Sequence, residues 1–300
     1  MNFQKLAVFA FSVLSLSLWA MVIAPIAGAE DFIRPDGPNV SLKEPQGERY
    51  EALVPDTLDI AERARLSIQG LTSPLDPNDD YELYWLVNFH NNPPIMKKDT
   101  YLNIRGKFME ALPLLRLASG STLNSATENI MVNNVFKMVG PDGLFYPKRK
   151  SKSEWQTLAG CGSCRLLNMM MVYHQLDGNP LWLDTVKKTI DRYSQLFVDK
   201  GDWGFFAQDN YALNQPSPAS DLKTPTGIWP VDGLNARLVQ PLAHYYSLTG
   251  DEPAKLLAGK VIKFLRYHSQ CFGEDGSWGV DQLDEKQYPG RFDDTHFHAR

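Results

Sequence analysis

Cysteine is scarce in this chain: there are three among 300 residues, an odd number. Cys161 and Cys164 stand in a Cys-Gly-Ser-Cys run and could pair, which leaves Cys271 alone. A redox or metal role for that run would need a βαβ setting or a second CxxC, and the sequence has neither. Small residues that let an inner helix start in a crowded place account for it as well. Basic charge is not in excess either, with 30 Lys and Arg against 35 Asp and Glu and a formal charge of −5. Nucleic acid is therefore not expected as a partner, and Lys148-Arg149-Lys150-Ser151-Lys152 reads as a solvated loop. There is no glycine-rich phosphate loop, no HExxH and no GxSxG, which leaves nucleotide, zinc-protease and serine-hydrolase chemistry without support. Strand-like alternation is almost absent. Past Ile26 no stretch is apolar enough to cross a bilayer.

What is present begins with an atypical segment. Lys5 precedes an apolar run from Leu6 to Ile26 that ends in Ala27-Gly28-Ala29, a pattern suited to signal peptidase. Residues 1–29 are expected to be a signal peptide, or to remain as an N-terminal anchor, since the run is long enough for a span. Either way the chain is expected to be exported to the periplasm or beyond the cell. A membrane is a partner only if that segment is retained. Residues 30–55, with Pro35, Pro38, Pro45 and Pro55, read as an extended linker.

Residues 56–300 carry an internal repeat. Near-wholly apolar helices stop at Gly120, Gly178 and Gly250, and amphipathic helices restart at once after the last two, through Asn179-Pro180 and Asp251-Glu252-Pro253. A second, aromatic turn follows each glycine, at Asp142-Gly143-Leu144-Phe145-Tyr146, Gly201-Asp202-Trp203-Gly204-Phe205 and Asp275-Gly276-Ser277-Trp278-Gly279. The glycine-to-glycine offsets are 23, 23 and 26 residues.

A first helix is predicted over 56–69, capped by Asp56 and ended by Gly70, and a second, short and aromatic, over 79–90. The stretches 104–119, 164–176 and 234–248 are apolar all round and must be surrounded by protein. By contrast, Val186, Ile190, Tyr193 and Phe197 form one stripe, as do Leu257, Val261, Phe264 and His268, with charged residues opposite. The fold expected is all-α: antiparallel helical hairpins in which buried helices make an inner ring and amphipathic ones an outer ring. Pro113 and Pro241 fall inside predicted inner helices, so those helices either kink or start late.

The alternation of helices, the Leu-x-Gly-(Asp/Asn) turns and the Asp-Gly-x-Trp-Gly-like loops resemble the (α/α) toroid of six-hairpin glycosidases. The resemblance covers about residues 56–300. It implies an incomplete (α/α)6-type toroid, because roughly four hairpins and the opening of another are legible. The run Thr295-His296-Phe297-His298-Ala299-Arg300 reads as an inner helix beginning, and the chain is expected to be a shortened form of a longer protein. The family includes glycoside hydrolases, unsaturated-uronyl hydrolases and helical domains of polysaccharide lyases. It implies a glycoside hydrolase acting on poly- or oligosaccharide. A lyase on the same scaffold and a non-catalytic envelope glycan-binding or scaffold protein stay open.

Long loops before the inner helices hold the residues a sugar site needs, aromatic faces and carboxylates. Trp155, Trp229, Trp203, Trp278 and Tyr146 are the candidate sugar contacts, although Trp203 and Trp278 recur in register and could equally plug hairpin ends. Asp232 and Asp294 each stand at the start of an inner helix and are the candidate acid and base, or simply N-caps. Arg291 and His296 could face an acidic sugar, with His296 as the base of a lyase. His296 and His298 diverge on a helix, so no metal is expected, and no cofactor either. His174 and His244 read as core histidines.

Overall fold

The computed structural model describes residues 31–43, 59–98, 102–148, 156–157, 160–226 and 231–269. Capping side chains fix where its helices begin. In α1 (Ile60–Thr72) the Asp59 carboxylate accepts from the Glu62 amide at 2.9 Å. The cap is thus Asp59, not Asp56, which lies outside the described residues, and the helix runs past Gly70. Three hairpins follow: α2 (Leu102–Ser119) with α3 (Ser125–Met138), α4 (Gly160–Asp177) with α5 (Pro180–Gln195), and α6 (Ala236–Thr249) with α7 (Glu252–Tyr267). Asn179 and Asp251 cap α5 and α7 through the Leu181 and Ala254 amides, each with a proline in the first turn.

The positive-φ glycines among the described residues are Gly120, Gly143, Gly178, Gly201 and Gly250, five of the six that mark the repeat; the sixth, Gly276, lies outside the described residues. Gly178 ends α4 at φ 70°, and a Cβ there would meet nothing within 4 Å. Only backbone strain opposes a side chain at that turn. Gly178→Ala is expected to cost about 1 kcal/mol, read as a lower urea midpoint with an unchanged slope.

Helices α2, α4 and α6 stand in a row with α4 in the middle. Their N-terminal ends lie together: a Cβ on Gly106 would meet the Gly162 carbonyl at 2.8 Å, and one on Gly160 the Leu234 Cα at 2.5 Å. Leu166, Leu167, Met169, Met170 and Met171 of α4 are fully buried. Of the partner helices, α5 and α7 are two-faced, while α3 is half-buried or buried along most of its length; α5 buries Trp182, Val186, Ile190 and Tyr193 and exposes Asp184, Lys188 and Asp191. This is the inner-and-outer arrangement the sequence pattern predicts. Helix α2 departs from it in part, since Leu114 and Leu117 are exposed. Pro113 and Pro241 lie inside α2 and α6, so neither helix starts late. Across the first hairpin, Arg116 of α2 and Glu128 of α3 form a buried ion pair at 2.5 Å.

The predicted helix over 79–90 is instead a strand. β1 (Leu75–Asp76), β2 (Glu82–Asn88) and β3 (Ile95–Lys98) make an antiparallel sheet in that order. Leu83, Tyr84, Trp85, Leu86 and Val87 are the large apolar and aromatic types that suit a pleated surface, and Asn91-Asn92-Pro93-Pro94 turns the chain back into β3. Arg105 of α2 pairs with Glu82 of β2 and ties this sheet to the inner row. A second short hairpin, β4 (Phe197–Asp199) and β5 (Gly204–Phe206), holds one of the aromatic turns.

The stretch 31–43 is docked rather than loose. Asn133 on α3 accepts from the Val40 amide at 2.7 Å and donates to the Val40 carbonyl at 3.1 Å; Asn129, one turn earlier, accepts from the Leu42 amide at 3.0 Å. Phe32 and Val40 are buried against the body.

Candidate functional site

The N-terminal ends of α4 and α6 approach each other because two glycines let them. Gly160 opens α4, and Gly233 lies in the π-helical segment Val231–Asn235 that runs into α6. Between them sits Asp209, from the loop after β5. The Gly160 amide donates to its Oδ1 at 3.0 Å, and the Leu234 amide donates to the same carboxylate. A Cβ on Gly160 or Gly233 would fall 2.8 or 2.2 Å from that oxygen, so the carboxylate fills the space a side chain would need.

Three contacts hold the Asp209 loop. The Asn235 carboxamide accepts from the Phe206 amide at 2.8 Å and donates to its carbonyl at 2.9 Å, as Asn133 does with Val40. Thr226 donates to the Ala207 carbonyl through both its amide and its hydroxyl. Tyr211 and Thr157 exchange bonds of 2.8 Å, which draws the stretch leading into α4 onto the same loop.

Burial pushes the Asp209 carboxyl up to about 6, against the two amides and the positive charge of Arg237, which lies buried in the first turn of α6. Among the described residues Tyr211 and Tyr193 also sense its charge, and their phenols are raised, chiefly by burial. Elsewhere the opposite holds: hydrogen bonds from Lys98, Lys148 and Lys260 hold Asp76, Asp79 and Asp199 below the ordinary carboxylate range. Glu110 of α2 is committed to Arg165 and to Asn168, which donates at 2.9 Å, both from α4. A carboxyl that titrates near 6 can donate a proton at neutral pH as few carboxyls can.

Asp232 belongs to the segment that supplies the Leu234 amide, and its backbone lies in that π-helical turn just before α6. Asp294, Trp155, Trp229, Trp278, Arg291 and His296 lie outside the described residues. Two predicted sugar contacts can be placed, and both are packing residues here. Tyr146 is fully buried with its hydroxyl donating to Asp142 at 2.7 Å, so neither ring face is open. Burial and that bond raise its phenol pKa. Trp203 lies flat on His268, 3.9 Å between ring centres and 13° from parallel, and against Phe264 of α7: it plugs the end of its hairpin. Cys164 is buried on α4. Burial holds the His244 imidazole below its usual pKa, and His174 keeps Nδ1 3.1 Å from the Asn179 carbonyl. Among the described residues no cluster has the makings of a metal site. Asp209 and Arg237 carry no local mark in the sequence; only the two glycines and the doubled carboxamide clasp, seen in three dimensions, single them out.

No family model matches the sequence, and no curated protein matches it. Among solved structures the chain is similar to cellobiose 2-epimerase from Spirochaeta thermophila, at 12% identity and a TM-score of 0.49. That match covers 75% of this chain and 61% of the other, so this chain spans less than two thirds of the protein it matches.

Proposed function

We propose that this chain is an exported carbohydrate-active enzyme, a glycoside hydrolase that cleaves poly- or oligosaccharide by carboxylate acid/base chemistry. The observation that carries the reading is Asp209, a half-buried carboxyl raised to about 6 where the inner helices begin. Glycoside hydrolysis needs one carboxyl that stays protonated to donate to the leaving oxygen and one carboxylate to attack or to activate water. Asp209 suits the first role. Asp232, from the adjoining segment, and Asp294 are the candidates for the second. Donation leaves Asp209 as a carboxylate beside Arg237, and it takes its proton back from water before the next turnover.

The test is a panel of neutral and acidic oligosaccharides incubated with the full-length protein, read by reducing ends and by ultraviolet absorbance. New reducing ends without absorbance support hydrolysis. An absorbing double bond would make it a lyase. Ligand binding without turnover, or neither, overturns the enzymatic reading.

A further inference from the structure

The tip of the β2–β3 hairpin is apolar and uncovered. Residues 89–96 are all exposed, and the solvent-facing large side chains include Phe89 (78%), Met96 (50%), Ile95 (47%) and Val87 (43%). Val87 stands opposite Met96 across the hairpin, Ile95, opposite Asn88, faces the other way, and Phe89 lies in the turn just past β2. A protein partner would cover one face of such a ribbon. A tip greasy on both faces suits immersion.

Its backbone and charge agree. Pro93 and Pro94 bring no N–H to the turn, and the His90 amide already donates to Asn88 Oδ1 at 3.0 Å, which lowers the cost of leaving water. From Asn88 to Lys98 there is no Asp or Glu, although acidic residues outnumber basic ones in the chain. Lys98 is engaged at the base by Asp76 and Asp79, which leaves His90 and Lys97 as the basic residues nearer the tip. Such a composition complements anionic headgroups. The run from Leu6 to Ile26 is a second lipid-compatible stretch in the same chain.

We infer that the β2–β3 tip is a membrane-surface contact that seats Phe89, Val87, Met96 and Ile95 in the headgroup region of an anionic bilayer. This does not depend on the catalytic reading. The test is hydrogen exchange of the full-length chain, alone and with vesicles of phosphatidylcholine mixed equally with phosphatidylglycerol. Exchange over residues 86–97 slows by about tenfold or more on the mixed vesicles and less on phosphatidylcholine alone, and Phe89→Ser abolishes the effect. Unchanged exchange at the tip overturns the inference even if residues 1–29 become protected, since that marks the leader alone. Slowing that grows with protein concentration and needs no vesicles also overturns it, and makes the tip a contact between copies.

Discussion

Replacing Glu128 with alanine is expected to lower the stability of the protein by about 3–5 kcal/mol, the usual cost of stranding one member of a buried ion pair. Glu128 and Arg116 are 2% and 3% exposed, and they join the two helices of the first hairpin. The Arg116 Nε donates to Glu128 Oε2 at 2.6 Å, its NH1 donates to the Ser121 carbonyl at 2.8 Å, and the Tyr173 hydroxyl of α4 donates to the other carboxylate oxygen. Alanine would leave a buried guanidinium with one carbonyl partner and a buried phenol with none. In the wild type, burial and the Glu128 charge hold the Tyr173 phenol well above its ordinary pKa. A double variant, Arg116→Met with Glu128→Leu, removes both charges and keeps the volume; it should regain most of the loss. Denaturant melts of the two single variants and the double one decide this. A loss under about 1 kcal/mol for Glu128→Ala would mean that water reaches the pair.

The second large effect concerns Asp209. Asp209→Asn should lower kcat by about 10²–10⁴-fold if the group is the proton donor, because the amide cannot supply a proton to the leaving oxygen. In the wild type, kcat/KM on a cleaved substrate should fall as pH rises above about 6, where the carboxyl ionises. The same substitution has a separate signature in stability. The folded carboxyl titrates at about 6 and an ordinary aspartate at 3.8, so the native state binds the proton more tightly between those values. Stability from this group is complete below pH 4 and is lost as pH climbs to about 6, by up to about 3 kcal/mol. Asparagine does not titrate. The variant should therefore match the wild type near pH 4 and be the more stable protein at pH 7. If one of the two amide donors loses its acceptor, the gain shrinks, but the part of the pH dependence that comes from this group still disappears. Thermal melts at both pH values read it. A wild type as stable at pH 7 as at pH 4, with an unaltered profile in the variant, would show that Asp209 titrates like any surface aspartate.

Much of the scaffold could be read from residues alone, because it is written in local terms. A helix that must stop and reverse needs a left-handed residue, and glycine supplies it without strain, so the repeat of Gly120, Gly178 and Gly250 predicts the hairpins the structure has. Buried and two-faced helices differ in composition around the circumference, which is also local. The β2 segment escaped because Glu82-Leu83-Tyr84-Trp85-Leu86-Val87 is apolar without a period of two and is as long as a short helix. Its pairing with β3 is what settles the matter, and no window of sequence contains that. Asp209 escaped for a different reason. Nothing beside it distinguishes it from the other loop aspartates, and its altered acidity arises from burial where two helix ends approach, opposed by an amide 49 residues earlier. Tyr146 misled in the reverse sense, and Trp203 takes the plugging role the sequence left open: aromatic loop residues suggest a binding surface, but a hairpin end also needs a stopper.

One detail of the N-terminal stretch bears on how its sequence can change over time. Asn133 and Asn129 hold it by the peptide groups of Val40 and Leu42, and a peptide group is the same whichever residue bears it. The neighbours Asn39 and Ser41 point to solvent. Lineages of this protein are thus free to drift at those positions while the path of the stretch stays put, and the selective constraint falls on two carboxamides far along the chain.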